Sequence, residues 1–373
     1  MDRQIVRRLA KWETGGMPVT TMYLDVDGRR HPRRGDYLGR GEDLARQACD
    51  EADRSDRAAF GSVCRDVQRI TTYLTERFDR KGSVRGLALF SCSAAGLWEA
   101  VSVPQVFRDR IVVGPRPHVL PLEAIVEMAE TFCTVIVDRE KARILVSSLG
   151  EIEEVSQILD EVPGRHDQGG WAQRRLQRHI EDHVQRHMKH VADVLLRLHQ
   201  GRGFDLLVLA GPEEAVAELE RELHDYVRRT IAGRMTLSMS ASTDEVLDRA
   251  MDIERDLEEQ RERQTVERIL GEASAGTGRA VAGMPPTLAA LEENRVDILA
   301  VRDGLEAAGV RCGSCGHLAT AGSRCEVCGF PTATVPDLVE EAVEAALRRR
   351  CRVETVHDGP LERAGGIGAL LRY

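Results

Sequence analysis

Thr131–Ile158, "TFCTVIVDREKARILVSSLGEIEEVSQI", is the stretch from which the fold can be read. Its β-branched runs are separated by charged turn residues, the pattern of short strands folded back on one another as a meander. Ten residues further on, Gln168–His179 reads "QGGWAQRRLQRH" and opens a segment in which Leu176, Ile180, Val184, Met188, Val191, Leu195 and Leu198 recur at three- and four-residue steps. That spacing lines one face of a helix with apolar side chains. The Gly-Gly stretch is therefore expected to be a loop that leaves a sheet and enters a long basic helix, and residues 128–243 are expected to form a middle domain around it.

Working outward, residues 1–127 contain the strand-like "VTTMYLDVD", one long polar helical stretch through "DLARQACDEADRSDRAAFGSVCRDVQRITTYLTERF", and the apolar "VRGLALFSC". This reads as an α/β domain ending in the proline punctuation of "IVVGPRPHVLPL". Residues 244–373 supply an acidic helix, a "VDILAVRDGL" strand, a cysteine-bearing insert at about 311–332, an "LVEEAVEAALRRR" helix and a "CRVETVHD" strand. The fold class expected is α/β (α+β) and multidomain, with three domains.

Composition narrows the function. The chain has 373 residues, of which 42% are hydrophobic, 30% charged and only 4% aromatic, so its cores must rest on Leu, Val, Ile and Ala. No apolar run approaches 18 residues, and "MDRQIVRRLAKWE" lacks the apolar centre of a signal peptide. A cytoplasmic protein without membrane contact is expected. Four of the 52 basic residues are lysine, so cation chemistry is almost wholly arginine chemistry. The net charge of −9 argues against indiscriminate nucleic-acid binding. Basic residues nevertheless cluster locally. Arg29, Arg30, Arg33, Arg34 and Arg40 crowd one stretch with His31, opposed in that stretch by Asp36; Arg174, Arg175, Arg178, Arg186 and Lys189 follow the Gly-Gly loop. Such patches suit RNA phosphates, or are simply solvated faces.

Cys312, Cys315, Cys325 and Cys328 read C-x2-C-x9-C-x2-C, in the glycine-bearing knuckles "CGSCG" and "CEVCG". Four thiolates at this spacing surround a structural zinc ion tetrahedrally, and the metal would supply folding energy that so short an insert lacks. The other five cysteines are scattered and read as packed or surface thiols. His179, His183, His187 and His190 run beside the apolar stripe of the basic helix, each displaced by one position. Metal ligation, an RNA-facing surface and a solvated shoulder are all open to them.

The chemistry of the loop rests on Gly169, Gly170 and Gln173. The glycines allow a sharp tip and close approach to another molecule, and a helix N-terminus favours anions. A carboxamide does not titrate, so Gln173 is suited to positioning: it can orient water or a ribose hydroxyl and stabilise charge on an ester carbonyl.

A Gly-Gly loop between sheet and long basic helix, together with "GRAVAGMPPTLAALEENRVDILAV" at Gly278–Val301 and the ending "RAGGIGALLRY", resembles the archaeo-eukaryotic peptide-chain release factors. The resemblance covers about two thirds of the chain and follows the same order of features. It implies a loop that enters the peptidyl-transferase centre, a C-terminal α/β/α domain like a ribosomal protein, and a zinc minidomain. Partners implied are the ribosome, its rRNA, peptidyl-tRNA and a translational GTPase that delivers the protein. Trp171 stands where the strict motif has glutamine, so Gln173, or else Gln168, takes that role; a shifted triplet is similar to the bacterial and ribosome-quality-control branches, including peptidyl-tRNA hydrolases. The first domain lacks the Asn-Ile-Lys-Ser stretch with which termination members read stop codons, which argues against decoding. The resemblance thus implies nascent-chain release on stalled ribosomes. The alternative is a non-catalytic factor that occupies idle ribosomes, which would need no glutamine.

Overall fold

The computed structural model describes residues 3–80, 84–149, 151–160, 171–201, 203–357 and 359–373, without the side chains of 3, 51 and 171–180. It is a mixed α/β, multidomain chain. Two compact units arise: Met1–Met128 together with Glu258–Tyr373, and Ala129–Leu257 between them in sequence.

In the first unit, helix α1 (Arg3–Ala10) precedes strand β1 (Val19–Asp25), followed by helices α2 (Arg34–Glu51) and α3 (Arg57–Thr72), strands β2 (Gly86–Cys92), β3 (Leu97–Val103) and β4 (Arg110–Gly114), and helix α4 (Leu120–Met128). The sheet runs β3-β2-β1-β4 and is antiparallel at each pairing. Every residue of β1 and β2 is buried, as befits two central strands. Met22, Leu24, Leu87 and Leu89 meet Tyr37 and Ala45 of α2 and Ile70 of α3 in one core. The single polar helix expected after Asp43 is in fact the end of one helix and the whole of another. The chain breaks at 52–56, where Asp56 accepts hydrogen bonds from the amides of Ala58 and Ala59 and so caps α3.

The second unit carries the meander: β5 (Phe132–Val137), β6 (Lys141–Ser148) and β7 (Glu151–Leu159) are antiparallel neighbours. Helix α5 (Trp171–Gly201) then returns the chain to β8 (Leu206–Ala210), which pairs parallel with β5. Helices α6 (Glu213–Glu222) and α7 (Asp225–Arg228) lead to β9 (Ile231–Met235), parallel to β8. The sheet order is β7-β6-β5-β8-β9. Strand β5 is buried on both faces, as a near-continuous apolar run requires. The 32-residue helix α8 (Thr243–Ser274) carries the chain out of this unit.

The remaining strands and helices are β10 (Ala280–Ala282), α9 (Met284–Glu292), β11 (Val296–Arg302), β12 (Gly309–Cys312), β13 (Leu318–Ala319), β14 (Thr332–Val335), α10 (Leu338–Arg348), β15 (Arg352–Val356) and β16 (Ile367–Leu371). The main sheet is β10-β16-β11-β15, and the cysteine insert adds a small sheet β13-β12-β14. Helix α10 buries Leu338, Val339, Ala342, Val343, Ala346 and Leu347, the stripe its sequence announces. The glycines of the C-terminal signature have a steric reason. Gly365 and Gly366 turn into β16 at φ of 85° and 74°, and a Cβ on Gly368 would lie 2.8 Å from Ile269 and 2.9 Å from the Val281 carbonyl oxygen.

The first unit draws on both ends of the sequence because the segment between β3 and β4 is clamped onto the C-terminal sheet and helices. Arg108 pairs with Asp337, the N-cap of α10, and donates to the Leu305 carbonyl at 2.7 Å. Arg110 pairs with Glu340 at 2.8 Å and Glu344 at 3.3 Å. Phe107, Leu120 and Ala124 join the apolar cluster built on α10 and β11.

Candidate functional site

Helix α5 is the element on which most expected site residues fall. Its 31 residues span about 46 Å at 1.5 Å per residue. Among its described side chains, Val184, Met188, Val191, Ala192 and Leu195 are buried, packed against Val135, Val137, Ile144, Leu207 and Leu209 of the sheet and Leu219 of α6. Arg186 and Lys189 lie on the opposite, exposed side. Gly169, Gly170 and Gln168 lie outside the described residues. Gln173, Arg174, Arg175 and Arg178 belong by backbone to the first turns of α5, and their side chains lie outside the described set. The helix begins at Trp171, so the last three residues of "GGWAQ" are helical, whereas the sequence suggested loop.

His187 and His190 share one face of the helix but differ in exposure. His187 is fully buried, and its Nδ1 lies 2.7 Å from Asp160 Oδ2; His190, half exposed, brings its Nδ1 to 3.1 Å from the same oxygen. Both side chains meet one carboxylate; His187 is closed to solvent and His190 keeps half of its surface exposed. Asp160 immediately follows β7, and its amide donates to the Glu140 carbonyl at 2.9 Å, so the end of the strand is fastened to α5. Burial works against charge on Asp160, but hydrogen bonds from His187 and His190 outweigh it and hold the carboxyl below its ordinary value. Sequence reading missed Asp160, since nothing local distinguishes a strand-ending aspartate from any other; only the tertiary fold brings it to residues 27 and 30 positions away.

Geometry then sets where the start of α5 stands. Trp171 precedes His187 by sixteen residues, roughly 24 Å of helix axis. The first turn of the helix is thus far along the axis from the point at which the preceding strand is docked.

The N-terminal arginine stretch is largely consumed within the fold. Arg29 pairs with Asp27, Arg30 with Asp25 at 2.9 Å, and Arg40 with Asp109. Arg40 also donates to the Asp25 carbonyl at 2.6 Å, and Arg34 donates to the Thr75 carbonyl. Burial disfavours charge on Asp27, yet the Arg29 side chain and amide hold its carboxyl down to about 2. Asp109 moves the other way, pushed up to about 6 by burial in spite of Arg40. Asp25 and Asp27 precede Arg29 and Arg30 by two to five residues, whereas Asp109 reaches Arg40 from the segment before β4.

The cysteine expectation has a geometric counterpart. Cys312, Cys315, Cys325 and Cys328 bring their sulfurs within 4.8 Å of one another, with Cys312–Cys328 at 3.4 Å and Cys315–Cys325 at 3.5 Å. A tetrahedron of sulfurs 2.3 Å from a central zinc has edges of about 3.8 Å, so the donor set fits such an ion with small adjustments. Each knuckle is closed by hydrogen bonds: Gly316 and Gly329 amides donate to the Cys312 and Cys325 carbonyls, at 3.0 Å and 2.9 Å. Amides of Cys315 and Ser314 directed at the Cys312 sulfur lower its thiol to about 6. A cluster of four cysteines able to hold a metal ion is therefore present.

With this geometry in hand, the likeness to known proteins is specific. The chain is 28% identical over 354 residues to "Peptide chain release factor subunit 1" of Pyrococcus abyssi (strain GE5 / Orsay), covering 84% of each chain. To the protein of the same name from Thermococcus sibiricus (strain DSM 12597 / MM 739) it is 27% identical over 357 residues, with the same coverage. Among solved structures, an archaeal translation termination factor aligns with 99% of this chain and 96% of its own at 19% identity and a TM-score of 0.28. Over most of its length the chain is thus similar in sequence to archaeal peptide chain release factors. The model of "Bacterial archaeo-eukaryotic release factor family 10" matches residues 117–255, the stretch that contains the meander and α5. Among the described residues no helix is long and apolar enough to cross a membrane.

Proposed function

We propose that this protein binds the ribosome and promotes hydrolysis of peptidyl-tRNA, freeing nascent chains from stalled ribosomes. The observation that carries the reading is the placement of the α5 N-terminus: Gln173 stands roughly 21 Å along the helix from the docked end of β7. Such a projection suits a probe that must reach a crowded RNA site while its base stays in a folded domain. In this reading Gly169 and Gly170 shape the tip, and Gln173 orients the attacking water and stabilises charge developing on the ester carbonyl. Arg174, Arg175, Arg178, Arg186 and Lys189 engage rRNA or tRNA phosphates. The four cysteines hold a structural zinc, and a translational GTPase delivers the protein. Membership of the bacterial branch is part of the same proposal, supported by the match over residues 117–255.

The test uses purified protein with stalled ribosome–nascent-chain complexes, followed at both the peptide and the tRNA 3′ end. Freed peptide with intact tRNA is the expected product; shortened tRNA would make the protein a nuclease instead. Gln173→Ala should leave ribosome binding intact and slow release roughly a hundred- to thousandfold, or about 2.7 to 4 kcal/mol. Binding by the wild-type protein without release under any stalled condition would replace the proposal with the ribosome-occupying role.

A further inference from the structure

Outside the insert, two cysteines stand apart from the buried Cys92, Cys133 and Cys351. Cys49, in the last turn of α2, and Cys64, near the middle of α3, are both free, both half-buried, and donate–accept across 3.2 Å: the Cys49 thiol donates to the Cys64 sulfur. Among the described residues this is the one thiol–thiol contact that is not part of the four-cysteine cluster. The two helices are joined by residues 52–56 and packed together through Ala45 and Ile70, so the sulfurs are held face to face by the hairpin rather than by chance encounter. Asp50 and Arg54 beside them are exposed, which leaves a small oxidant a path to the pair.

We infer that Cys49 and Cys64 form a reversible thiol–disulfide site whose substrate is a low-molecular-weight disulfide, and that its closure pins α2 to α3. The hydrogen bond orders the steps. Cys64, as acceptor, attacks first: its thiolate displaces one thiolate from the small disulfide and becomes a mixed disulfide. Burial and then the Cys64 contact push the Cys49 thiol up to about 11, so Cys49 keeps its proton until the second step. Cys49 then loses that proton, attacks the Cys64 sulfur and expels the second small thiolate. In balance, two protein thiols give up two electrons and two protons, and one small disulfide becomes two small thiols. The bond closes a ring from Cys49 to Cys64 that contains the whole turn between the helices, and α3 can no longer shift along α2.

Glutathione disulfide is the probe, used on the full chain, with alkylation and tryptic mapping. Oxidation should join peptides Gln47–Arg54 and Ala58–Arg65, with loss of two hydrogens, and dithiothreitol should separate them again. Closure should be about tenfold faster in the folded chain than in urea, because folding holds the sulfurs in contact. Cys49→Ser should trap a glutathione adduct on Cys64. Separate adducts on both peptides in wild-type protein, no linkage, or linkage at the same rate in urea would each overturn the inference. Because the readout is the covalent state of two peptides, the result does not depend on nascent-chain release.

Discussion

The middle unit and the cysteine insert are both held firmly, by opposite means. In the middle unit a single helix face, Val184 to Leu195, is sealed onto a five-stranded sheet by apolar contact. The insert has almost nothing of the kind: Val327 and Phe330 at its second knuckle are 61% and 57% exposed, and its organisation rests on four sulfurs and the amides around them. The lesson is that position-by-position tolerance should differ. Apolar truncation should damage the first region and spare the second, and loss of the proposed metal should do the reverse.

The largest expected effect is on the insert. Replacing Cys312 and Cys325 with serine should remove about one zinc per chain and, with it, binding free energy on the order of 10 to 16 kcal/mol that folds such a site. Hydrogen exchange should rise across residues 311–332 and stay unchanged in α5. Unaltered metal content by elemental analysis would break the comparison. Next comes Leu195→Ala, which opens a cavity at a fully buried position and should cost the middle unit about 2 to 5 kcal/mol in denaturant unfolding, with metal content unchanged.

Asp160→Asn should be milder, about 1 to 3 kcal/mol, because it leaves the buried His187 with a weaker partner. The same pair predicts a pH dependence. The Asp160 carboxyl lies below its ordinary value in the folded state, so its contribution is complete above the unfolded value near 3.9 and is lost as pH falls through the folded value. The acid limb of the middle unit's unfolding should therefore flatten below about pH 4 in Asp160→Asn. The smallest effect on folding belongs to Arg174, Arg175 and Arg178 changed together to glutamate. Stability should move little, while ribosome co-sedimentation should weaken and the slope of log K against log salt should fall by about 2 to 3. An unchanged slope would remove these arginines from the proposed RNA face.

Much of this architecture was legible in the sequence where a signal is local. The meander of β5 to β7, the helix α10 and the spacing of the four cysteines are each set by neighbours within a few residues, and each is found where the sequence places it. What escaped reading depends on residues far apart in the chain. The arginines from 29 to 40 read as an open patch although Asp25 and Asp27 lie just before them; the counter-charge that only the fold supplies is Asp109, 69 residues beyond Arg40. His187 and His190 looked like members of a free row, yet both meet Asp160, 27 and 30 residues back in the chain. The turn at 52–56 was obscured by helix-favouring composition on both sides, and only the cap at Asp56 marks it.

Strand β16 has a consequence for synthesis. It is the last strand of the sequence, yet it lies between β10 and β11 at the interior of its sheet. During translation, at roughly 5 to 20 residues per second, the middle unit has all its strands well before β16 emerges. Strands β10 and β11 pair with β16 and not with each other, so their sheet lacks its connecting strand until β16 follows. The C-terminal sheet is therefore completed after the two larger sheets that precede it in sequence, β3-β2-β1-β4 and β7-β6-β5-β8-β9.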